Sequence, residues 1–332
     1  MISRRNLLIA SGALLAAPLA RAQNADKVGR VGWLEWTAQG RFSETTSKAF
    51  VEGLRAQGYV EGKNLVLERR VAFGDVKRMK AQARELAALK MDVLFTPSKA
   101  ATDAAWYADR AIPAVIATVT DPVAVDYAVS LARPGKHITG VTTASAELTG
   151  KRLELLREAV PGATRIAVLY DQTLYDSCQQ ELKQFRSAAK KLGVALVEIS
   201  VSNLAAGLTD LEPAFRRIGE AKARAVIMPL FTSVSNFSPE FARLALKYRL
   251  PTMHEVAYFA EVGGLMTYGP DFADIYRRAA GYVARILRGE KPATMAIEEP
   301  RQFRLTVNLR TAKALGIAIP QAVLLRADEL IE

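Results

Sequence analysis

Short apolar runs alternate with stretches in which apolar residues recur every three or four positions, and that alternation organises nearly the whole chain. Arg30 to Trp36 reads as a first strand. Phe42, Thr46, Ala49, Phe50, Gly53 and Leu54 then fall on one helical face, and Gly58 closes that helix. Strands are expected next at Asn64 to Val71, Asp92 to Thr96, Ala114 to Thr118 and Ile138 to Thr142. Between them lie helical patterns around Met79 to Ala87, at Lys99 to Arg110, and a short one at Val123 to Ala132. A linking helix, Ala146 to Val160, opens a second series. Its strands are expected at Arg165 to Tyr170, Val194 to Val201, Ala225 to Pro229, Leu250 to Met253 and Gly264 to Tyr268, again with helices between, and Ile275 to Leu287 is the last helix.

Near-continuous apolar strands separated by helices imply parallel sheets covered on both faces. The two series also match in register. Val31 and Ile166, Gly58 and Gly193, Asp92 and Ala225, and Pro113 and Pro251 occupy corresponding places at a near-constant offset. The expected fold is therefore α/β, with two doubly wound parallel-sheet lobes in tandem. The carboxyl ends of both sets of strands would then face one crevice, which is where open parallel sheets take ligands.

Composition narrows the chemistry. A chain of 332 residues suits two domains. Its formal charge of +11 would invite a nucleic-acid partner, but Lys and Arg are interleaved with acids, as in Lys151-Arg152-Leu153-Glu154-Leu155-Leu156-Arg157-Glu158. Such charges belong to solvated helix faces, so no nucleic-acid partner is expected. Cys178 is the one cysteine, and His137 and His254 are the two histidines. That is too little for a zinc site, and no metal or other cofactor is expected. Pro134-Gly135-Lys136-His137 is only a fragment of a phosphate loop. Neither a nucleophile elbow nor a dinucleotide fingerprint occurs, which disfavours an enzyme.

Residues 1–22 read as an export signal. Ser3-Arg4-Arg5-Asn6-Leu7-Leu8 supplies the charged start, Leu7 to Ala20 the apolar run, and Ala20-Arg21-Ala22 a cleavage site before Gln23. The run is shorter than the roughly 20 residues a membrane span needs. The paired arginines resemble a twin-arginine signal, and the ordinary secretory route stays open. A periplasmic protein is expected by either route.

The crevice edge supplies the candidate site. Trp36 projects to the opposite side from Trp33 and offers a stacking platform. Thr96, Ser98, Thr120, Thr142 and Thr143 stand at strand ends or before helix starts. Hydroxyls and N–H groups there suit a carboxylate, although each residue could equally serve as a plain N-cap. Glu35, Asp121 and Glu255 are rival partners for a ligand amine. Tyr170, Asp171, Phe231, Thr232 and Tyr268 complete the edge on the second lobe.

Several stretches resemble a known family. They are Gly53-Leu54-Arg55-Ala56-Gln57-Gly58-Tyr59-Val60-Glu61-Gly62-Lys63-Asn64-Leu65, Asp121-Pro122-Val123, Leu131-Ala132-Arg133-Pro134-Gly135, and Gly150-Lys151-Arg152-Leu153-Glu154-Leu155-Leu156. Gly263-Gly264-Leu265-Met266-Thr267-Tyr268-Gly269-Pro270 and Asn308-Leu309-Arg310-Thr311-Ala312-Lys313-Ala314-Leu315-Gly316 complete the set. Nearly all of the chain beyond the signal resembles the solute-binding proteins of bacterial ABC importers with the type I periplasmic-binding fold, in the subgroup that includes tryptophan- and tyrosine-binding members. The resemblance implies a non-enzymatic, monomeric receptor that closes two hinged lobes on a small solute and delivers it to a membrane permease with its ATPase. The solute would be an amino acid, aromatic ones included, or a related carboxylate. It also implies that the chain crosses between lobes three times, with residues 28–141 and 270–297 in one lobe and 142–269 and 298–332 in the other. Thr96-Pro97-Ser98-Lys99 departs from the Gly-containing turn usual in the family, His137 stands where Gly-Asn is common, and the first loop, Glu35 to Gly40, is unusually aromatic and acidic. A ligand-sensing module for a membrane kinase, and with less support an exported α/β enzyme, remain alternatives.

Overall fold

The computed structural model describes residues 28–38, 40–143, 145–202, 210–229 and 237–332. The export signal read at 1–22 and the crevice candidates Phe231 and Thr232 lie outside the described residues.

The first sheet is built from β1 (Gly29–Glu35), β2 (Leu65–Val71), β3 (Val93–Thr96), β4 (Ala114–Val119) and β5 (Ile138–Thr142). Its order is β2-β1-β3-β4-β5 and every pair is parallel. Around it lie α1 (Gly40–Ala56), α2 (Val76–Ala88) and α3 (Lys99–Ala108). The two-residue period of β1 divides the core. Val31 and Trp33 pack with Phe42, Phe50 and Leu54 of α1. Leu34, followed by Trp36, packs with Met79, Ala83 and Leu86 of α2 and Ala101 of α3.

The second half runs α4 (Ser145–Ala159), β6 (Arg165–Asp171), α5 (Tyr175–Leu192), β7 (Ala195–Val201), α6 (Leu211–Glu220), β8 (Ala225–Ile227), α7 (Ser238–Lys247), β9 (Thr252–His254), α8 (Tyr258–Glu261) and β10 (Met266–Pro270). After these come α9 (Phe272–Leu287), β11 (Phe303–Asn308), α10 (Leu309–Leu315), α11 (Gln321–Leu324) and β12 (Glu329–Ile331). The second sheet is ordered β12-β11-β10-β9-β8-β6-β7. Read as β7-β6-β8-β9-β10, it repeats the order of the first sheet strand for strand. Gly58 and Gly193, which end the corresponding helices, both take positive φ (89° and 65°), a conformation glycine adopts without strain. The fold is thus two α/β lobes on mostly parallel sheets. The exception is β11, which runs antiparallel to β10.

After β10 the chain returns to the first lobe, where α9 packs on α1. A Cβ at Gly53 would sit 2.8 Å from Ala280 Cβ and 2.9 Å from Arg277 O, so the close approach of these helices depends on Gly53. The segment after α9 then runs beside β5. The Thr139 hydroxyl donates to Met295 O (2.7 Å), Glu298 N to Gly140 O (3.0 Å) and Thr142 N to Glu298 O (2.9 Å). The chain therefore passes between the sheets after β5, between β10 and α9, and between Glu298 and β11.

One expected element is absent. Val123 to Ala132 is not a helix. Asp121 caps a single turn by accepting from Val123 N (3.1 Å) and Ala124 N (2.9 Å). Tyr127 N and Ala128 N both return to Pro122 O, and Asp126 at φ 61° bends the chain out of helical geometry. The strand expected from Leu250 starts at Thr252, because Leu250 N is engaged by Ala245 O (2.8 Å) at the end of α7. Among the described residues, no helix is long and apolar enough to cross a membrane.

Candidate functional site

At the carboxyl end of β1, Glu35, Trp36 and Thr37 wall a pocket with Phe42, Ser43 and Thr46 of α1, Pro97 and Ser98 before α3, and Tyr276 of α9. Two helix starts converge here, because the strand-to-helix turns at this edge are short. Ser98 caps α3 by accepting from Ala101 N at 3.3 Å. Ser43 stands in the first turn of α1; its Oγ is buried and has no hydrogen-bond partner. Orphan N–H groups and the positive ends of two helix dipoles favour a negative group in this place.

Glu35 is the counterweight. Its carboxylate accepts from Arg69 Nε at 2.5 Å, and Arg69 in turn lies 4.4 Å from the Trp33 ring centroid. Burial pushes the Glu35 carboxyl up from its ordinary 4.5 to about 7, against the opposing hydrogen bond and charge of Arg69. The site can therefore present a neutral acid or a carboxylate near neutral pH, and an ammonium beside it would favour the carboxylate. The Tyr276 hydroxyl is raised by burial and then by the Glu35 charge.

The second lobe answers with a buried ionic group. Asp171 ends β6 where Glu35 ends β1, and both are buried. Asp171 Oδ1 accepts from Thr173 N (2.8 Å). Nearby, Arg152 of α4 is fully buried and pairs with Glu181 at 3.0 Å and with Glu255. Its Nε donates to Tyr268 O at 3.0 Å, which ties α4 to the end of β10. Burial, followed by the charges of Glu181 and Asp171, raises the Cys178 thiol. His254 is pushed down to about 3 by burial and then by Arg152, so its ring is neutral. Glu181 and Glu255 thus share the buried guanidinium of Arg152, with Asp171 buried at the neighbouring strand end.

The remaining candidates divide. Thr96 is buried behind the pocket, where the Thr102 hydroxyl donates to its Oγ1 at 3.1 Å. Thr142 and Thr143 are buried at the end of β5, and the Thr142 hydroxyl donates to Thr120 O (3.2 Å). Asp121 is occupied with its turn. Tyr170 and Tyr268 are half-buried, and the Tyr268 ring faces Phe303 with centroids 6.3 Å apart. The structure therefore brings Glu35, Trp36 and Ser98 into one pocket, sets Glu255 against Arg152, and leaves Asp171 at the end of β6 near Cys178. Glu255 meets Arg152 rather than open crevice. Trp36 is 3% exposed, so it lines the pocket from within the core and is not a projecting platform. The two lobes meet at one rim, where Arg41 of α1 lies 3.2 Å from Glu261 and 5.2 Å from the Tyr258 ring centroid, both on α8.

Residues 41–331 match the family of ABC transporter substrate binding proteins. The chain belongs to that family. A tyrosine-binding protein of Clostridioides difficile (strain R20291) is 23% identical over 274 residues, spanning 82% of this chain and 77% of that protein. A conserved domain protein from Vibrio cholerae is 27% identical with a TM-score of 0.83, covering 92% of this chain and all of the other. An ABC domain from Streptococcus pneumoniae, solved in complex with L-Trp, has a TM-score of 0.82 at 21% identity and covers 91% of this chain and 99% of its own. For a substrate-binding protein, a small-molecule ligand and an ABC transporter partner follow from the family. Among the described residues, no group of three or more His, Cys, Asp or Glu side chains is placed to hold a metal. Ser43, Thr46, Tyr276, Arg152 and Glu181 are site residues that sequence reasoning did not select. Arg152 carried a readable signal: it shares the buried stripe of α4 with Leu153, Leu155, Leu156 and Ala159, an unusual place for a guanidinium.

Proposed function

We propose that this substrate-binding protein is an exported, non-enzymatic receptor that captures an α-amino acid, aromatic ones included, and hands it to the permease of an ABC importer. The observation that carries the reading is the small pocket, about 20 Å³, where the starts of α1 and α3 meet the unpartnered Ser43 hydroxyl beside Glu35; it has room for one polar end of a ligand, whose remainder would lie in the crevice. A ligand carboxylate would be held by the helix starts and Ser43. Its ammonium would be held by the charged form of Glu35, and Asp171 lies at the matching strand end of the other lobe. The lobes would comprise residues 28–141 with 270–297, and 142–269 with 298–332, and would close about the three crossings. A ligand touching both lobes stabilises the closed form only through its higher affinity for that form. The binding reported in the names of the tyrosine-binding and L-Trp-complexed relatives supports an aromatic side chain.

Calorimetric titration with L-tyrosine and L-tryptophan tests this, with tryptamine and indole-3-propionate as partners lacking the carboxylate and the amine respectively. The expected result is that a complete amino acid binds at least tenfold more tightly than either truncated form, because each lost charge-assisted hydrogen bond costs about 1.5–3 kcal/mol. Equal binding of the truncated forms would contradict it.

A further inference from the structure

Lys99 ends the turn that departs from the family's Gly-containing pattern, and the structure gives it a setting. On the far side of Trp36 from the pocket of Glu35 and Ser43, a groove of about 450 Å³ opens between α2 and α3. Its floor is apolar, made by Trp36, Met79, Ala100 and Ala104, and Tyr107 and Val76 rise at its rim. The rim is solvated: Tyr107 is 77% exposed. Thr173, from the second lobe, faces it across the crevice.

The charges at this groove do not cancel. Lys99 is paired with Asp103 at 2.7 Å, and Asp103 also accepts from the Tyr127 hydroxyl. Lys80 lies on the same wall, exposed and with no carboxylate partner among the described residues. Two ammonium groups and one carboxylate leave a single positive charge over an apolar floor. An apolar cavity of this size with one or two placed polar groups has the form of a small-molecule site.

We infer that this outer groove is a second binding compartment of the crevice and takes an apolar-bodied monocarboxylate, such as an arylalkanoate, with its ring against Trp36 and Met79 and its carboxylate at Lys80. The inference shares with the proposed function only the crevice itself. The inner pocket selects by helix starts, Ser43 and Glu35, whereas the groove needs no amine on its ligand. Thr173 would cover the groove as the lobes approach, so an occupant there would also touch both lobes.

The test uses 4-phenylbutyrate and its neutral amide, titrated calorimetrically into the wild-type chain and three variants. Lys80→Glu reverses the unpaired charge on an exposed side chain, Ala100→Phe fills the floor, and Ser43→Val disables the inner pocket instead. The expected result is millimolar or tighter binding of the carboxylate, weakened about fivefold or more by Lys80→Glu, lost in Ala100→Phe and unchanged in Ser43→Val. The amide should bind the wild type more weakly than the carboxylate does and should be nearly indifferent to Lys80→Glu. No binding of 4-phenylbutyrate, or binding removed by Ser43→Val and indifferent to Lys80→Glu, would overturn the inference. Lys80→Glu keeps the test valid if Ala100→Phe fails to fold. If L-tyrosine and L-tryptophan fail to bind while 4-phenylbutyrate follows the expected pattern, the amino-acid reading falls and the groove stands. The reverse result removes the groove alone.

Discussion

Glu35 should write a signature into the pH dependence of stability. Its carboxyl is buried, and its folded pKa is raised from 4.5 to about 7. The folded state therefore holds the proton more tightly than the unfolded chain does. Stability from this group is fully present below pH 4.5 and is lost as pH rises through about 7. Each tenfold change in proton affinity corresponds to about 1.4 kcal/mol, so the whole excursion is worth about 3 kcal/mol. His254 and His137 oppose it, because both are lowered by burial and so destabilise the fold as pH falls below 6.5. A wild-type profile alone would mix these effects. Glu35→Gln removes one titration, keeps the volume and leaves both histidines in place. Urea denaturation of the two proteins across the window should then show the variant gaining about 3 kcal/mol relative to wild type between pH 4.5 and values above 7. The pull of Arg69 is already contained in the folded value of about 7, so any other effect of the substitution displaces the difference curve by a constant and leaves its rise unchanged. A flat difference curve, or one of opposite slope, would refute the reasoning.

Three further outcomes follow from the packing. Arg152→Leu should destabilise the chain by about 3–5 kcal/mol in urea, because Glu181 and Glu255 are left buried without their cation; adding Glu181→Gln and Glu255→Gln should recover a large part of that loss. Gly269→Ala should cost about 1–3 kcal/mol or more by overpacking, since its Cβ would lie 2.0 Å from Glu255 O, and unchanged thermal unfolding would show that the end of β10 can yield. Arg41→Ala should weaken amino-acid binding no more than about fivefold, the scale of an exposed ion pair, with stability of the ligand-free protein nearly unchanged; a loss of a hundredfold would place Arg41 in contact with the ligand.

The lobes were legible because their signal is local and repeated. Apolar strands, the closing glycines Gly58 and Gly193, and the recurrence of one strand-and-helix order are all carried by neighbouring residues. What was not legible depends on long-range contact. The stretch Phe303–Asn308 becomes a strand by pairing antiparallel with β10, although its first two residues are not buried, so its own pattern is weak. Val123 to Ala132 has helix-like spacing, but the turn capped by Asp121 and closed at Asp126 wins. In the site, Glu35, Trp36 and Ser98 could be found because strand ends and helix starts are readable. Tyr276 reaches the same pocket only because α9 returns to the first lobe after the whole second sheet has been laid down. Glu255 stands at a strand end where a ligand could meet it, and only the fold brings Arg152 of α4 onto it.

Capture by closure of two lobes on one solute would contract the molecule, and small-angle scattering reads that contraction directly. The radius of gyration would be measured for the ligand-free protein and again at saturation with whichever of L-tyrosine or L-tryptophan binds more tightly by calorimetry. A smaller radius is expected in the bound protein, with Ser43→Val requiring correspondingly more ligand for the same contraction. Tight binding with an unchanged radius would contradict it.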